Sequence, residues 1–456
     1  MPFSLVQTAR AFLDGHPDVE TVDVLISDLN GVMRGKRLPR DGLLKACTQG
    51  IQLPASLFAL DICGNTIEET GLGLDSGDGD RTCWPLADTF APTPWRPGRA
   101  QVLMSMFEPD GTAFFADPRH VLAQTLSRFT ERGLTPVVAL ELEFYLVERR
   151  RDARGRIHPP CAPSTGERAV QSQLYAMNEL DEYAGVLEDI QAAARAQGLP
   201  LDSALKECAP GQFEINLIHS SNALAAADSA VLLKRLIRGV AEQHDLEATF
   251  MAKPFGDEAG SGAHVHISLE DAHGTNLFAA DNGALTGSDT LGHAIGGLLE
   301  LMPASMAVFA PNLNSFRRFQ PGLYVPMAPS WGVDNRSVAI RIPSGPDHAR
   351  RLEHRVAGAD ANPYLLLATL LASILYGLDH RTAPGAPIAG NAYTQLAPSL
   401  TNSWREALSL FEHSDALKAS LGDAFHFVYC ANRRAEREQA MARVSTLEYD
   451  WYLRHV

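Results

Sequence analysis

Nowhere in the 456 residues do five lysines and arginines stand in a row, and the formal net charge is −15. A surface that tracks nucleic-acid phosphates needs clustered positive charge, so nucleic acid is not expected as a partner. Six cysteines (Cys47, Cys63, Cys83, Cys161, Cys208, Cys430) are scattered singly with no CxxC pair. Zinc ribbons and disulfide frameworks are thereby excluded, and reduced structural thiols are expected. No apolar run reaches the roughly 20 residues of a bilayer span. The longest, Pro363 to Leu378, is interrupted by Thr369 and Ser373 and reads as a buried helix. Charge arrives at Arg10 and Asp14 before a signal-peptide core develops, so a cytoplasmic protein without membrane contact is expected. Neither GxxxxGKS nor GxxxxGKT occurs, so any ATP is held without a P-loop.

What is present is ordinary globular composition, with 45% hydrophobic and 20% charged residues. At about 150 residues per domain, the length allows two domains or one large enzyme with an added module. Residues 1–116 mix short β-like runs, such as Val22 to Leu29 and Gln101 to Phe107, with Gly/Asp/Pro-rich connections, and read as a small α+β unit. Asp117-Pro118-Arg119 then opens an amphipathic helix, because proline suits a first turn. In residues 117–456 helices alternate with β-rich segments (Thr135 to Glu148, Phe213 to Leu217, Ala263 to Leu269, Ser337 to Ile342) that are not regular βα units. An α+β domain with a largely antiparallel sheet is predicted.

Four segments carry candidate chemistry. Glu141 and Glu143 interrupt an apolar strand two residues apart, so both carboxylates project from one face. Side by side in a core strand they need a neutralising cation; the alternative is an exposed polar face. Glu207 and Glu214 flank a Pro-Gly turn that either returns both to one centre or leaves them solvated. His264, His266 and Ser268 share a face of a glycine-flanked strand and suit a metal or phosphate. Arginines follow at Arg317, Arg318, Arg336, Arg341, Arg351 and Arg355, with Glu353 between the last two. Guanidinium forks match phosphate and carboxylate oxygens, although each pair alone would pass for a surface ion pair. Together the set fits Mg²⁺ or Mn²⁺ on oxygen ligands and phosphoryl transfer from ATP.

At these residues the chain resembles the glutamine synthetase family. The matching pieces run in the family's order: Asp28 to Lys36, the Glu-x-Glu strand, Glu207 to Glu214, Lys253 to Ser268, Asn314 to Arg318, Asn335 to Pro343, and Arg351 through Tyr364. The resemblance implies an N-terminal β-grasp module and a catalytic α+β domain. It also implies homo-oligomeric rings, hexameric or stacked as a dodecamer, with active sites between subunits. It places one metal on Glu143, Glu207 and Glu214 and a second on Glu141, His264 and Glu353. Nucleotide contacts fall to Glu207, His266, Ser268, Arg341 and Arg351, with Arg336 on the phosphates. Gly260, His264, Arg318 and Arg355 fall on the substrate side, and Arg318, Arg336, Arg341, Tyr324 and Asp61 are the catalytic candidates.

Two departures direct the substrate reading. Tyr324 stands where glutamine synthetases carry the flap glutamate that closes over ammonium. A phenol with a reference pKa of about 10 is a poor base near neutrality, and its ring suits an alkyl or aryl amine. The family's Phe-Asp-Gly-Ser-Ser motif is replaced by Leu53 to Asp61, from which Asp61 is expected to meet a cationic amine in the neighbouring subunit. Ala259 replaces an asparagine that contacts the glutamate amino group. The pattern is similar to the γ-glutamylpolyamine synthetase branch and implies a ligase joining glutamate to putrescine or a related amine at the expense of ATP. The rivals are a glutamine synthetase using ammonia, a non-catalytic regulatory homologue, and, on the residues alone, a guanidino kinase or other phosphotransferase.

Overall fold

The computed structural model describes residues 2–169, 171, 173–280 and 283–456. Strand Thr21–Ser27, buried along nearly its whole length, runs parallel to Arg99–Phe107. Between them come strand Met33–Pro39, helix Arg40–Gln49, and the antiparallel strands Ile51–Pro54 and Asp80–Pro85. The six-stranded sheet has the order 33–39, 21–27, 99–107, 80–85, 51–54, with Ala91–Pro92 also on 99–107. A parallel central pair with a helix in its connection is the β-grasp pattern expected of this unit. All six cysteines are free.

Asp117 ties the first sheet to the helix that follows it. Its Oδ2 accepts from the Met106 amide (3.0 Å) in the first sheet, and its Oδ1 accepts from the Arg119 amide (2.9 Å). The second bond caps helix Pro118–Thr130, and Pro118 in the first turn forfeits no helical hydrogen bond. A further tie comes from Asn362, whose Oδ1 caps helix Pro363–His380 while its amide donates to the Asp28 carbonyl (2.9 Å).

The second sheet has eight strands. Its order is Trp331–Val333, Ile340–Ile342, Leu352–His354, Ala263–Glu270, Thr135–Glu148, Gln212–Leu217, Leu201–Lys206, with Leu246–Thr249 also on 135–148. Every pairing is antiparallel except 331–333 with 340–342, so the class is α+β. The strand predicted from Ser337 begins only at Ile340. The Asn335 side chain holds 335–337 as a turn by accepting from the amide (2.9 Å) and hydroxyl (2.7 Å) of Ser337.

Helices Pro118–Thr130 and Ala223–Gln243 pack on this sheet and on helix 363–380, which runs along Asp289–Phe309. The last two are long and apolar enough to cross a membrane, but most of each is buried within the protein. Their backbones approach at glycines: a Cβ on Gly297 would lie 2.2 Å from the Ser373 carbonyl oxygen, and one on Gly377 2.1 Å from that of His293.

Candidate active site

Strand alternation and register place the site. Glu141 and Glu143 share a face of 135–148; Glu214 lies opposite Glu143 and His264 opposite Glu141. On the next pairs His266 lies opposite Glu353, and Glu353 opposite Arg341. A row of carboxylates and imidazoles therefore crosses four strands and ends on a guanidinium. Glu143 and Glu214 are only 8% and 5% exposed, which disposes of a solvated polar face.

Within the row, His264 Nδ1 lies 3.2 Å from Glu141, 3.9 Å from Glu214 and 4.0 Å from Glu353, and its Nε2 lies 3.7 Å from Glu143. His266 Nε2 lies 2.8 Å from Glu141. Glu143 also accepts from the Gly262 amide (2.8 Å) and the Gln212 side chain (3.4 Å). Three groups have ligand atoms within 4.8 Å of one another: Glu143, Glu207 and Glu214; Glu141, Glu214 and His264; Glu141, His266 and Glu353. The first is the trio expected for one metal. His264 lies close to Glu141 and Glu353, the pair expected to share a metal with it, and His266 forms a further group with the same two carboxylates. Glu353 Oε2 pairs with Arg341 (2.9 Å), and its Oε1, the oxygen nearer His264, pairs with Arg355.

Electrostatics sort these carboxylates. Burial, then the charges of Glu141 and Glu143, push Glu214 well above the usual carboxylate range, and burial together with Glu143 raises Glu207 to about 7. Burial also opposes charge on Glu141, but His264 and His266 outweigh it and hold that carboxyl far below its ordinary value. At Glu353 burial is outweighed by Arg355 and the two histidines, to about 2. Carboxylates so crowded cannot all stay ionised without a cation among them. An oxygen-rich donor set with two imidazoles fits a hard divalent ion.

The other candidates surround this row. Arg318, 3% exposed, donates to the Val356 carbonyl (2.7 Å), and Gly260 is packed against it so closely that a Cβ there would lie 2.7 Å from Arg318 Cγ. Arg351 Nε reaches His266 Nδ1 (3.2 Å), whereas the Ser268 hydroxyl makes no hydrogen bond among the described residues. Arg336 is exposed on the turn before 340–342. Tyr324 is 60% exposed on a loop at φ 55°, and Ala259 O accepts from Tyr145 Oη (2.6 Å).

Asp61 departs from expectation. Segment 55–59 forms a buried 3₁₀ helix, and the Asp61 that follows is fully buried, accepting from the Asn65 amide (2.8 Å) and side chain (3.0 Å). Burial opposes its charge, but these bonds and one from Gln439 outweigh it and keep the carboxyl below its usual range. A carboxylate spent on its own loop is not presented to an amine on another subunit.

Three residues were not singled out from the sequence. Lys206, fully buried, donates to the carbonyls of Glu207 (2.7 Å) and Ala209 (2.6 Å) and so shapes the turn carrying Glu207. Tyr175, at φ 62°, donates its amide N–H to the Lys206 carbonyl (3.1 Å) and stands within the fields of Arg336, Glu207 and Glu214. The His219 ring lies 5.7 Å from that of His266. Lys206, next to Glu207, and His219, two residues from the 212–217 strand, lay near segments already marked.

The family model described as the glutamine synthetase catalytic domain matches residues 115–452. The chain belongs to the glutamine synthetase family. It is 46% identical over 453 residues to gamma-glutamylputrescine synthetase PuuA of Escherichia coli K12, covering 99% of this chain and 95% of that one. It is 32% identical to the glutamate–isopropylamine ligase of a Pseudomonas species, covering 97% of each. Among solved structures, a GmaS/ADP complex superimposes with a TM-score of 0.84 at 27% identity, over 98% of this chain and 99% of that one. Glutamine synthetase family membership implies use of ATP and a divalent metal, and the carboxylate–imidazole row carries the donors for such an ion.

Proposed function

We propose that this chain is an ATP-dependent ligase that makes a γ-glutamyl amide from glutamate and an organic amine, putrescine or a related polyamine or monoamine. The observation that carries it is the buried carboxylate–imidazole row, in a chain that has Tyr324, an exposed tyrosine, where the resemblance places the flap glutamate. The similarity to two glutamate–amine ligases supports the same class. Glu143, Glu207 and Glu214, and Glu141 with His264, His266 and Glu353, would hold Mg²⁺ or Mn²⁺, which when bound would neutralise phosphate charge. Arg336, Arg341 and Arg351, with His266 and Ser268, are assigned to the nucleotide. Arg318 and Arg355, packed around Gly260, are assigned to glutamate.

In this reading the γ-carboxylate of glutamate attacks the terminal phosphorus of ATP, giving γ-glutamyl phosphate and ADP. The neutral amine then attacks the acyl carbon, expels phosphate and loses a proton, leaving the amide. The chain's task is positioning and charge stabilisation: guanidiniums on the transferring phosphoryl group and an aromatic wall for the amine's carbon chain. We assign residues 1–116 and 117–456 to the β-grasp and catalytic units, and take the working form to be a cytoplasmic ring, hexameric or dodecameric.

The test is phosphate release dependent on ATP, glutamate and metal across ammonia, putrescine, longer polyamines, ethanolamine and aromatic amines, with mass detection of the product. One preferred organic amine and its γ-glutamyl amide is the expected result. Turnover with ammonia alone would make the protein a glutamine synthetase despite Tyr324.

A further inference from the structure

A second concavity, of about 920 Å³, lies between the first unit, helix 223–243, the 311–317 segment and the C-terminal helices Trp404–Glu412 and Asp423–Ala442. Of the candidate residues above, only Arg317 lines it, and neither the carboxylates nor the histidines of the strand row do. Its volume falls in the range of small-ligand sites, about 300–1,000 Å³.

In a chain of net charge −15 this lining is cationic. Its acids are engaged: Glu242 pairs with Arg96 (2.7 Å), Glu436 with Arg433 (3.1 Å), and Asp360 Oδ2 accepts from Asn312 (2.8 Å) and Ser315 (2.6 Å). Lys234 donates to the carbonyls of Ala359 (2.6 Å) and Ala361 (3.0 Å), and Arg235 to Asp23 (2.8 Å) and Gln101 (2.9 Å). Arg99, Arg317 and Arg443 also line the cleft but make no side-chain hydrogen bond or ion pair among the described residues, and Arg238 lies over the Phe250 ring, 5.0 Å from its centroid.

Unpaired arginines at a surface are common, so the buried wall decides. Trp404 is 5% exposed and Arg433 2%, and both line the cleft. The indole N–H of Trp404 and the Nε–H of Arg433 find no acceptor among the described residues. Such donors are normally satisfied. Apart from Glu436 Oε2, which faces the Arg433 guanidinium, the one unpartnered acceptor described on this lining is Asp360 Oδ1. The balance calls for an acceptor-rich occupant.

We propose that this cleft binds a small organic polyanion. Its carboxylate or phosphate groups would lie on the guanidiniums of Arg99, Arg317 and Arg443 and the Trp404 and Arg433 N–H donors, and its apolar part against Trp95. Titration calorimetry on the full chain tests this, with citrate in one arm and pyrophosphate in the other, and with no ATP, glutamate, amine or metal present. Saturable binding in at least one arm is expected, and which arm responds separates carboxylate from phosphate recognition. The double variant Arg99→Glu/Arg317→Glu should weaken it by about tenfold or more, as loss of charge-assisted pairs predicts. Trp404→Phe, which keeps the ring and removes the N–H, should weaken it several-fold with an unchanged melting midpoint. Arg336→Ala, at the other arginine-bearing site, should bind as the native chain does. No saturable binding in either arm, native affinity in the double variant or in Trp404→Phe, or loss in Arg336→Ala would overturn the proposal. None of these outcomes touches the ligase reading, because no reactant is present.

Discussion

Glu141, Glu143, Glu214, His264, His266 and Glu353 stand on paired strands, whereas Tyr324 and Tyr175 stand on loops at positive φ. The strand side is cross-braced by register, so moving one residue means slipping a whole strand and turning its apolar face to water. The loop side has no such constraint. A family that keeps one phosphoryl-transfer chemistry while changing its acceptor is served by this division, with rigid groups where the chemistry is constant and loops where the substrate differs.

The comparison is sharpened most by removing a group from the strand side. Glu143→Ala is expected to take phosphate release below detection for every amine. It should also abolish the rise in melting midpoint that Mg²⁺ or Mn²⁺ gives the native chain by linkage. Native-like turnover and metal-induced stabilisation would remove Glu143 from the metal set. Arg336→Ala comes next. Its side chain makes no hydrogen bond among the described residues, so the fold should be unaffected, while kcat should fall by about 10³-fold if it neutralises the transferring phosphoryl group. A change in KM for the amine with kcat preserved would instead place Arg336 on the acceptor side.

The same division explains what the sequence revealed. A two-residue period exposes strand-mounted chemistry directly, which is why Glu141 and Glu143, His264 and His266, and Arg351, Glu353 and Arg355 could be picked out before any fold was known. The 117 cap was legible because Asp-Pro has one local meaning at a helix start. Loop geometry has no period. Asp61 was placed near the amine by the resemblance alone, yet a 3₁₀ turn and Asn65 draw it inward. Lys206 offered no signal, since a lysine fully buried on carbonyl oxygens is recognised only once the turn around it is seen. Tyr175 lies 32 residues before Glu207 in the chain, and only the fold brings the two together.

On the loop side the expected effects are smaller and concern selectivity. Tyr324→Glu should shift the ratio of ammonia to organic-amine turnover by about tenfold, or about 1.4 kcal/mol of relative transition-state binding, because it restores a carboxylate where an ammonium would sit. Competition between ammonia and putrescine, with both amides quantified by mass, gives that ratio directly. An unchanged ratio would place the acceptor preference elsewhere, with Tyr175 the next residue to vary.

The smallest catalytic effect is expected at Asp61, and it separates the sequence reading of that residue from the structural one. If Asp61 met the amine, Asp61→Asn would remove a charge that binds a cation and raise KM for putrescine far more than it altered stability. In the structure both carboxylate oxygens accept hydrogen bonds from Asn65, and the side chain is fully buried. The asparagine keeps one acceptor oxygen for the Asn65 amide but turns an N–H₂ toward the Asn65 side chain, which then has to flip its own amide to answer. The expected cost is therefore a loss of about 1–3 kcal/mol in folding stability with KM for the amine unchanged. Measuring the melting midpoint and the amine KM on the same preparation decides between the two, since each reading moves one quantity and leaves the other in place.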